Sequence, residues 1–192
     1  MNSLKCAIFC LFISSILVAQ KKSVQLKILV SKDYVGKIFI RNRSDIILEI
    51  NLKKKNIFAT SFDIEEGIYQ LKYDTFYTDI YLKNGFNLII TFDALQFYET
   101  LKFVGVGANE NNFIASEFKK DENLAANSFY NLTETDFEAF LLTTEKTNED
   151  SLLIGSFDAF FIEYEKKSIK AQLLKIRDLY QDRKLRQKNS DK

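Results

Sequence analysis

Residues 67–93 read GIYQLKYDTFYTDIYLKNGFNLIITFD. Tyr69, Leu71 and Tyr73 alternate with Gln70 and Lys72. A second apolar run, Phe76 to Leu82, follows one turn later, and Leu88, Ile90 and Phe92 alternate after Gly85. Period two places one side of a segment in a core and the other in water, which is the mark of a strand. The gaps are short and carry Asp74 and Lys83–Gly85, residues that favour turns. The stretch therefore predicts consecutive strands joined by tight connections.

The same period extends upstream. Val24, Leu26, Ile28 and Val30 alternate with Gln25, Lys27 and Leu29, and Ile46, Leu48, Ile50 and Leu52 alternate around Glu49 and Asn51. Shorter runs at Lys37–Ile40, Ile57–Phe62 and Leu101–Val104 complete a set of about eight strands at about ten-residue spacing. Turn signals fall between them at 33–36, 42–45, 53–56 and 65–67, and the isolated Asp33, Asp45, Asp63 and Asp74 read as turn residues rather than metal ligands. This spacing predicts an antiparallel β-sandwich or open barrel over 21–107. Parallel pairing needs a crossover of a dozen or more residues, longer than any of these gaps.

After Ala108 the period changes. Asn109–Lys120 predicts a short helix with Phe113, Ile114 and Phe118 on one side. Thr133-Glu134-Thr135-Asp136 has the form of an N-terminal cap before Phe137, Phe140 and Leu141. Gly155 reads as a helix stop and Ser156 as the N-cap of the last helix. That helix carries Phe157, Phe160, Phe161 and Tyr164, then Ile169, Leu173, Ile176 and Tyr180, with Glu163, Glu165, Lys166 and Lys167 on its wet face. The fold class is thus α+β: a β domain, then a helical region over 108–192 that ends in an αα-hairpin and a basic tail from Arg183.

Composition restricts the chemistry. The 192 residues contain no His, Pro or Trp, and Phe and Tyr number 18 and 9. Without His there is no Ser-His-Asp triad and no imidazole metal ligand. Residues 1–20 combine Lys5, the apolar run Ala7–Val18 and a small residue, Ala19, which predicts a secretory signal peptide and export to the periplasm or cell envelope. The apolar run is too short for a membrane span. Both cysteines, Cys6 and Cys10, lie in this segment, so a cleaved chain holds no thiol and no disulfide. Lys5 is also the only charged residue before Lys21, which leaves 26 basic and 26 acidic side chains in 21–192. Zero net charge opposes general nucleic-acid binding. No cofactor or metal site is expected.

Two glycines enter the helical region in Gly105-Val106-Gly107-Ala108-Asn109-Glu110. A dinucleotide fingerprint requires a third glycine where Glu110 stands. The expected role is a strand-to-helix connector with positive φ at the glycines and Asn109 or Asn111 capping the helix.

One order of motifs carries a resemblance. Ile80-Tyr81-Leu82-Lys83-Asn84-Gly85 and Leu88-Ile89-Ile90 form a Y-L-x-x-G-x-x-L-x-I hairpin, and Gly105–Asn112 a G-x-G-A-x-E-N-N connector before Phe113. This order resembles the region preceding the thioredoxin domain in TlpA-like cell-envelope thiol–disulfide oxidoreductases, where a β-rich domain of unassigned function and a helical region follow a signal peptide. The resemblance spans about Val24 to Tyr180, and its specific part is Gly67–Phe113. It implies an exported accessory module. The chain stops where the family's catalytic domain would begin, and 21–192 offers no cysteine for the family's redox chemistry.

Three functions follow as expectations: a non-catalytic module binding a protein or peptide partner, a cell-surface β-sandwich taking a ligand or carbohydrate, and an enzyme using carboxylates alone. The first has the resemblance. The second requires aromatics on one exposed face, and the third two carboxylates in one cleft, which no spacing here provides. The docking candidate is Ile169, Leu173, Ile176 and Tyr180, expected to be less buried than the Phe157–Tyr164 stripe and to support partner binding or self-association.

Overall fold

The computed structural model describes residues 23–31, 36–52, 56–124 and 128–190. The predicted signal segment to residue 20 lies outside them, as do all but the last residue of the expected turns at 33–36 and 53–56. All eight expected strands form: β1 Val24–Ser31, β2 Gly36–Arg41, β3 Ile46–Leu52, β4 Ile57–Phe62, β5 Gly67–Tyr73, β6 Phe76–Leu82, β7 Asn87–Asp93 and, after the one-turn helix α1 Phe97–Thr100, β8 Lys102–Val106. They build two open four-stranded sheets, β4-β1-β7-β8 and β3-β2-β5-β6. The alternating residues of both supply one core: Val24, Leu26 and Ile28 with Leu88 and Ile90 from the first sheet, Ile38, Ile50, Leu71 and Ile80 from the second.

The expectation of purely antiparallel pairing fails at one place. β1 and β7 run parallel, with Leu26 opposite Leu88 and Ile28 opposite Ile90. No adjacent gap is long enough for this, but the whole second sheet intervenes between the two strands and serves as the crossover. Turn chemistry is largely as read. Asp74 takes a positive φ of 51° in the two-residue β5–β6 turn. In the 42–45 turn it is Asn42, not Asp45, whose side chain accepts the N–H groups of Ser44 and Asp45.

The helical region comprises α2 Ala108–Leu124, a 3-10 turn Ser128–Asn131, α3 Glu134–Ile154 and α4 Ala159–Ser190. Thr133 caps α3 as expected, accepting the N–H of Asp136 at 3.2 Å. Ser156 does not cap α4. Asp158 does, through Oδ1 and the Phe160 N–H at 2.9 Å, and Phe157 belongs to the connection before the helix. The side chain of Phe118 is not among those described. α3 and α4 form the expected hairpin, with a small second core of Phe129, Phe137, Leu141 and Tyr180 between them and the 3-10 turn.

Two asparagines join the helices to the sandwich. β6 and β8 are edge strands, each with a row of backbone groups that no strand pairs. α2 closes both. Asn111 accepts the Tyr81 N–H and donates to the Tyr81 carbonyl, both at 2.9 Å. Asn112 does the same to Phe103, at 3.0 and 2.9 Å. Each side-chain amide stands in for the backbone of a missing neighbour strand, one on each sheet. Tyr98 adds a hydroxyl on β6, accepting the Tyr77 N–H and donating to its carbonyl.

This overturns the expectation that Asn111 caps α2. The glycines behave as expected, with φ of 107° at Gly105 and 93° at Gly107. A Cβ at Gly105 would lie 2.1 Å from the Asn87 carbonyl oxygen on β7. Glu110, also buried, accepts the Asp158 N–H at 3.1 Å and fixes the start of α4. The whole connector is therefore scaffolding.

Candidate functional site

The outer face of the β3-β2-β5-β6 sheet is partly covered by α2 and the first half of α4, and a recess is left among them. Helical spacing explains what lines it. Phe161 and Ile169, fully buried and 5% exposed, anchor α4 to the main core. Glu165 sits midway, four residues from each, on the same face. It is 8% exposed, and no hydrogen bond or ion pair reaches its carboxylate among the described residues. The placement of Glu165 on a wet face is thereby corrected: the apolar stripe carries it inward.

The recess has two parts. An inner pocket of about 130 Å³ takes Tyr77 and Asp79 from β6, Ile114 and Glu117 from α2, and Tyr164, Glu165, Ser168 and Gln172 from α4. An outer groove of about 540 Å³ runs over β5, from Arg41–Arg43 at the end of β2, past Ile68–Gln70, to Phe160 and Tyr164. Asp79 and Tyr164 line both, so the two parts meet at that pair.

Three carboxylates from three elements, Asp79, Glu117 and Glu165, thus line one recess. Burial, then the neighbouring charges of Glu117 and Asp79, pushes Glu165 up to about 7. Asp79 stands at the mouth, yet desolvation by its surroundings holds it above the ordinary carboxylate range. Burial, with Asp79 and Glu165 adding, raises the Tyr164 phenol against the opposing pull of Arg43. Among the described residues, no group of acidic, His or Cys side chains is placed to hold a metal ion.

A second polar cluster lies at the start of α4. The Tyr81 hydroxyl bonds Glu66 and, at 3.0 Å, Asp158, while Lys83 pairs with Asp158. Burial and the two carboxylates drive the Tyr81 phenol well above its usual range. Burial works to raise Asp158, but hydrogen bonds from Lys83, the Phe160 N–H and Tyr81 hold it below its ordinary value. Each of these groups has a partner, so this cluster anchors the helix.

The predicted docking stripe lies elsewhere and is more buried than expected. Ile169 belongs to the main core, and Leu173 packs on both cores. Tyr180 is 4% exposed; its ring stacks on Phe137 at 3.8 Å, and its hydroxyl donates to the Leu132 carbonyl at 2.9 Å. Ile176 packs beside them. Of the earlier stripe Phe161 is fully buried, but Phe160 and Tyr164 are 44% and 36% exposed and both line the groove. The predicted order of exposure is reversed because the second half of α4 has α3 to cover it, whereas Phe160 and Tyr164 face the recess.

No protein-family model matches this chain, and no curated protein or solved structure does. The resemblance in Gly67–Phe113 thus remains one of sequence motifs, and the connector residues Glu110, Asn111 and Asn112 make their side-chain bonds within the scaffold.

Asp79, Glu117, Glu165 and Tyr164 were not picked out as site residues by sequence. One signal was present: an acidic residue at the centre of the Phe161–Ile169 stripe. Nothing comparable marks Asp79 or Glu117, because their meeting depends on how α2 and α4 lie on the sheet. No helix among the described residues is long and apolar enough to cross a membrane.

Proposed function

We propose that the chain is a non-catalytic binding module of the cell envelope, which takes an extended segment of a protein partner in the groove over β5. The observation that carries this reading is the groove itself. It is open, about 540 Å³, walled on one side by the exposed rings of Phe160 and Tyr164, and carries Arg41 and Arg43 at one end and Asp79 at the other. Rigid aromatic anchors beside polar groups of both signs suit a peptide with alternating side chains. The signal-like segment 1–20 and the resemblance to an envelope accessory region support the location.

Phe160 and Tyr164 also favour a second reading. They lie one helical turn apart on the exposed surface and would serve as stacking platforms for a sugar. Titration of the isotope-labelled full chain with an uncharged octapeptide, and separately with a tetrasaccharide, separates the two. The peptide is expected to shift amide resonances at 41–43, 68–70 and 160–164. Shifts caused by the sugar alone would replace the first reading with the second, and silence from both at millimolar concentration would remove the groove as a binding site.

A further inference from the structure

We infer that the inner pocket is a lysine-recognition pocket: it takes the primary ammonium of a lysine side chain belonging to the segment in the outer groove, with Glu165 as the counter-ion. This rests on the groove reading and names the group that the groove selects.

The argument starts from Glu165. A carboxylate this buried normally has a hydrogen-bond or charge partner, because water no longer solvates it. Glu165 has none among the described residues, and it lines a cavity that opens toward the groove. The groups facing it are of the same sign or neutral: Asp79 and Tyr77 from β6, Glu117 from α2, and Tyr164 beside it on α4, with Arg43 acting only on Tyr164 at the rim. Among the described residues that line the pocket there is no Lys or Arg to pair with Glu165.

Size and shape select which cation. At about 130 Å³ the pocket falls below the about 300–1,000 Å³ of sites for drug-sized ligands, so it fits a slim chain end. An ammonium is compact and offers three donors, which suits a narrow pocket lined by the Glu165 and Asp79 carboxylates. A guanidinium is flat and favours one carboxylate edge-on. Ile114 supplies apolar surface for the methylene stem, and the rings of Tyr77 and Tyr164 add faces that attract a cation. A carbonate-type or phosphate ligand would meet three acids and is excluded by charge. The chain enters past Asp79 and Tyr164, the pair common to groove and pocket.

Binding also has a proton balance. In the empty pocket at neutral pH Glu165 is partly protonated. An arriving ammonium keeps its own protons and pairs with the carboxylate, and the Glu165 proton leaves to solvent. Affinity therefore rises from pH 5.5 to pH 8, by up to about tenfold per pH unit on the acid side of the transition.

The test uses the full chain, two octapeptides that differ only in a central lysine or norleucine, and n-butylammonium as a minimal probe. At pH 8 the lysine peptide is expected to bind about tenfold or more tighter than the norleucine peptide. Glu165→Gln should abolish that difference while keeping the melting temperature at or above that of the parent. Equal affinity of the two peptides overturns the lysine pocket and leaves the groove standing. Butylammonium binding that depends on Glu165, with no binding of either peptide, keeps the pocket's ammonium site but overturns the groove, and with it the assignment to a partner's lysine. Undiminished lysine preference in Glu165→Gln, or calcium displacing the peptide at equal concentration, overturns the ammonium assignment. No binding of any probe overturns both readings.

Discussion

Helices α2 and α4 each carry two sets of polar side chains, and the sets differ in kind. At the helix starts, Glu110, Asn111, Asn112 and Asp158 are all partnered, and each bond ties the helix to a strand edge or to the other helix. About two turns further on, Glu117 and Glu165 line one cavity with Asp79, and among the described residues no partner reaches the Glu165 carboxylate. The first set obeys the rule that buried polar groups find partners. The second breaks it at Glu165. The binding proposed above would supply at the recess the partner that Glu165 lacks among the described residues.

Substitutions can break or sharpen this contrast. The largest effect belongs to the partnered set. Asn111→Leu keeps the volume but strips both partners from the buried Tyr81 backbone, and should cost about 4 kcal/mol in denaturant unfolding. A loss below about 1 kcal/mol would show that the edge of β6 does not depend on it. Gly105→Ala should cost about 3 kcal/mol, since it forces an alanine to a φ near 107° with its Cβ against the Asn87 carbonyl. The same change at an exposed strand glycine with negative φ would stabilise.

Removing charge from the other set should have the opposite sign. Folding raises Glu165 from 4.5 to about 7, so the folded state holds a proton that the unfolded state has lost. Stability therefore falls as pH rises between about 4.5 and about 7, by at most about 3 kcal/mol, and stays at the lower level above that window. Glu165→Gln removes this fall. The variant should match the parent at pH 4.5 and exceed it by about 2 kcal/mol at pH 8, measured by urea unfolding. A variant less stable than the parent at pH 8 would mean that Glu165 makes a structural bond. The smallest effect is expected from Asn112→Ala, about 1 kcal/mol, because its partner Phe103 backbone lies nearer the surface.

The architecture was legible in the sequence where the signal is local. Alternation located the strands, with β4 and β6 recovered to the residue, and Thr133 announced α3. The parallel β1–β7 pair was not legible, because neighbouring gaps say nothing about strands that meet only after a second sheet has formed. The connector glycines could be read from backbone sterics, but the work of Asn111 and Asn112 could not: an asparagine near a helix start looks like a cap until two sheet edges are brought beside it. At the site, the sequence reading put Glu165 on the wet face although it lies midway in the Phe161–Ile169 stripe, and its chemistry became visible only with Asp79 and Glu117 in place. The stripe at Ile169–Tyr180 misled for the same reason. An amphipathic helix declares an apolar face without declaring what covers it, and here α3 does.

The most direct measurement is the titration of the Glu165 carboxyl carbon by NMR in the full chain, with and without n-butylammonium. The free protein is predicted to titrate near 7, and the amine to lower that midpoint by at least one pH unit. A midpoint near 4.5 that the amine leaves unmoved would contradict the account, because it would show a carboxylate already satisfied by the fold.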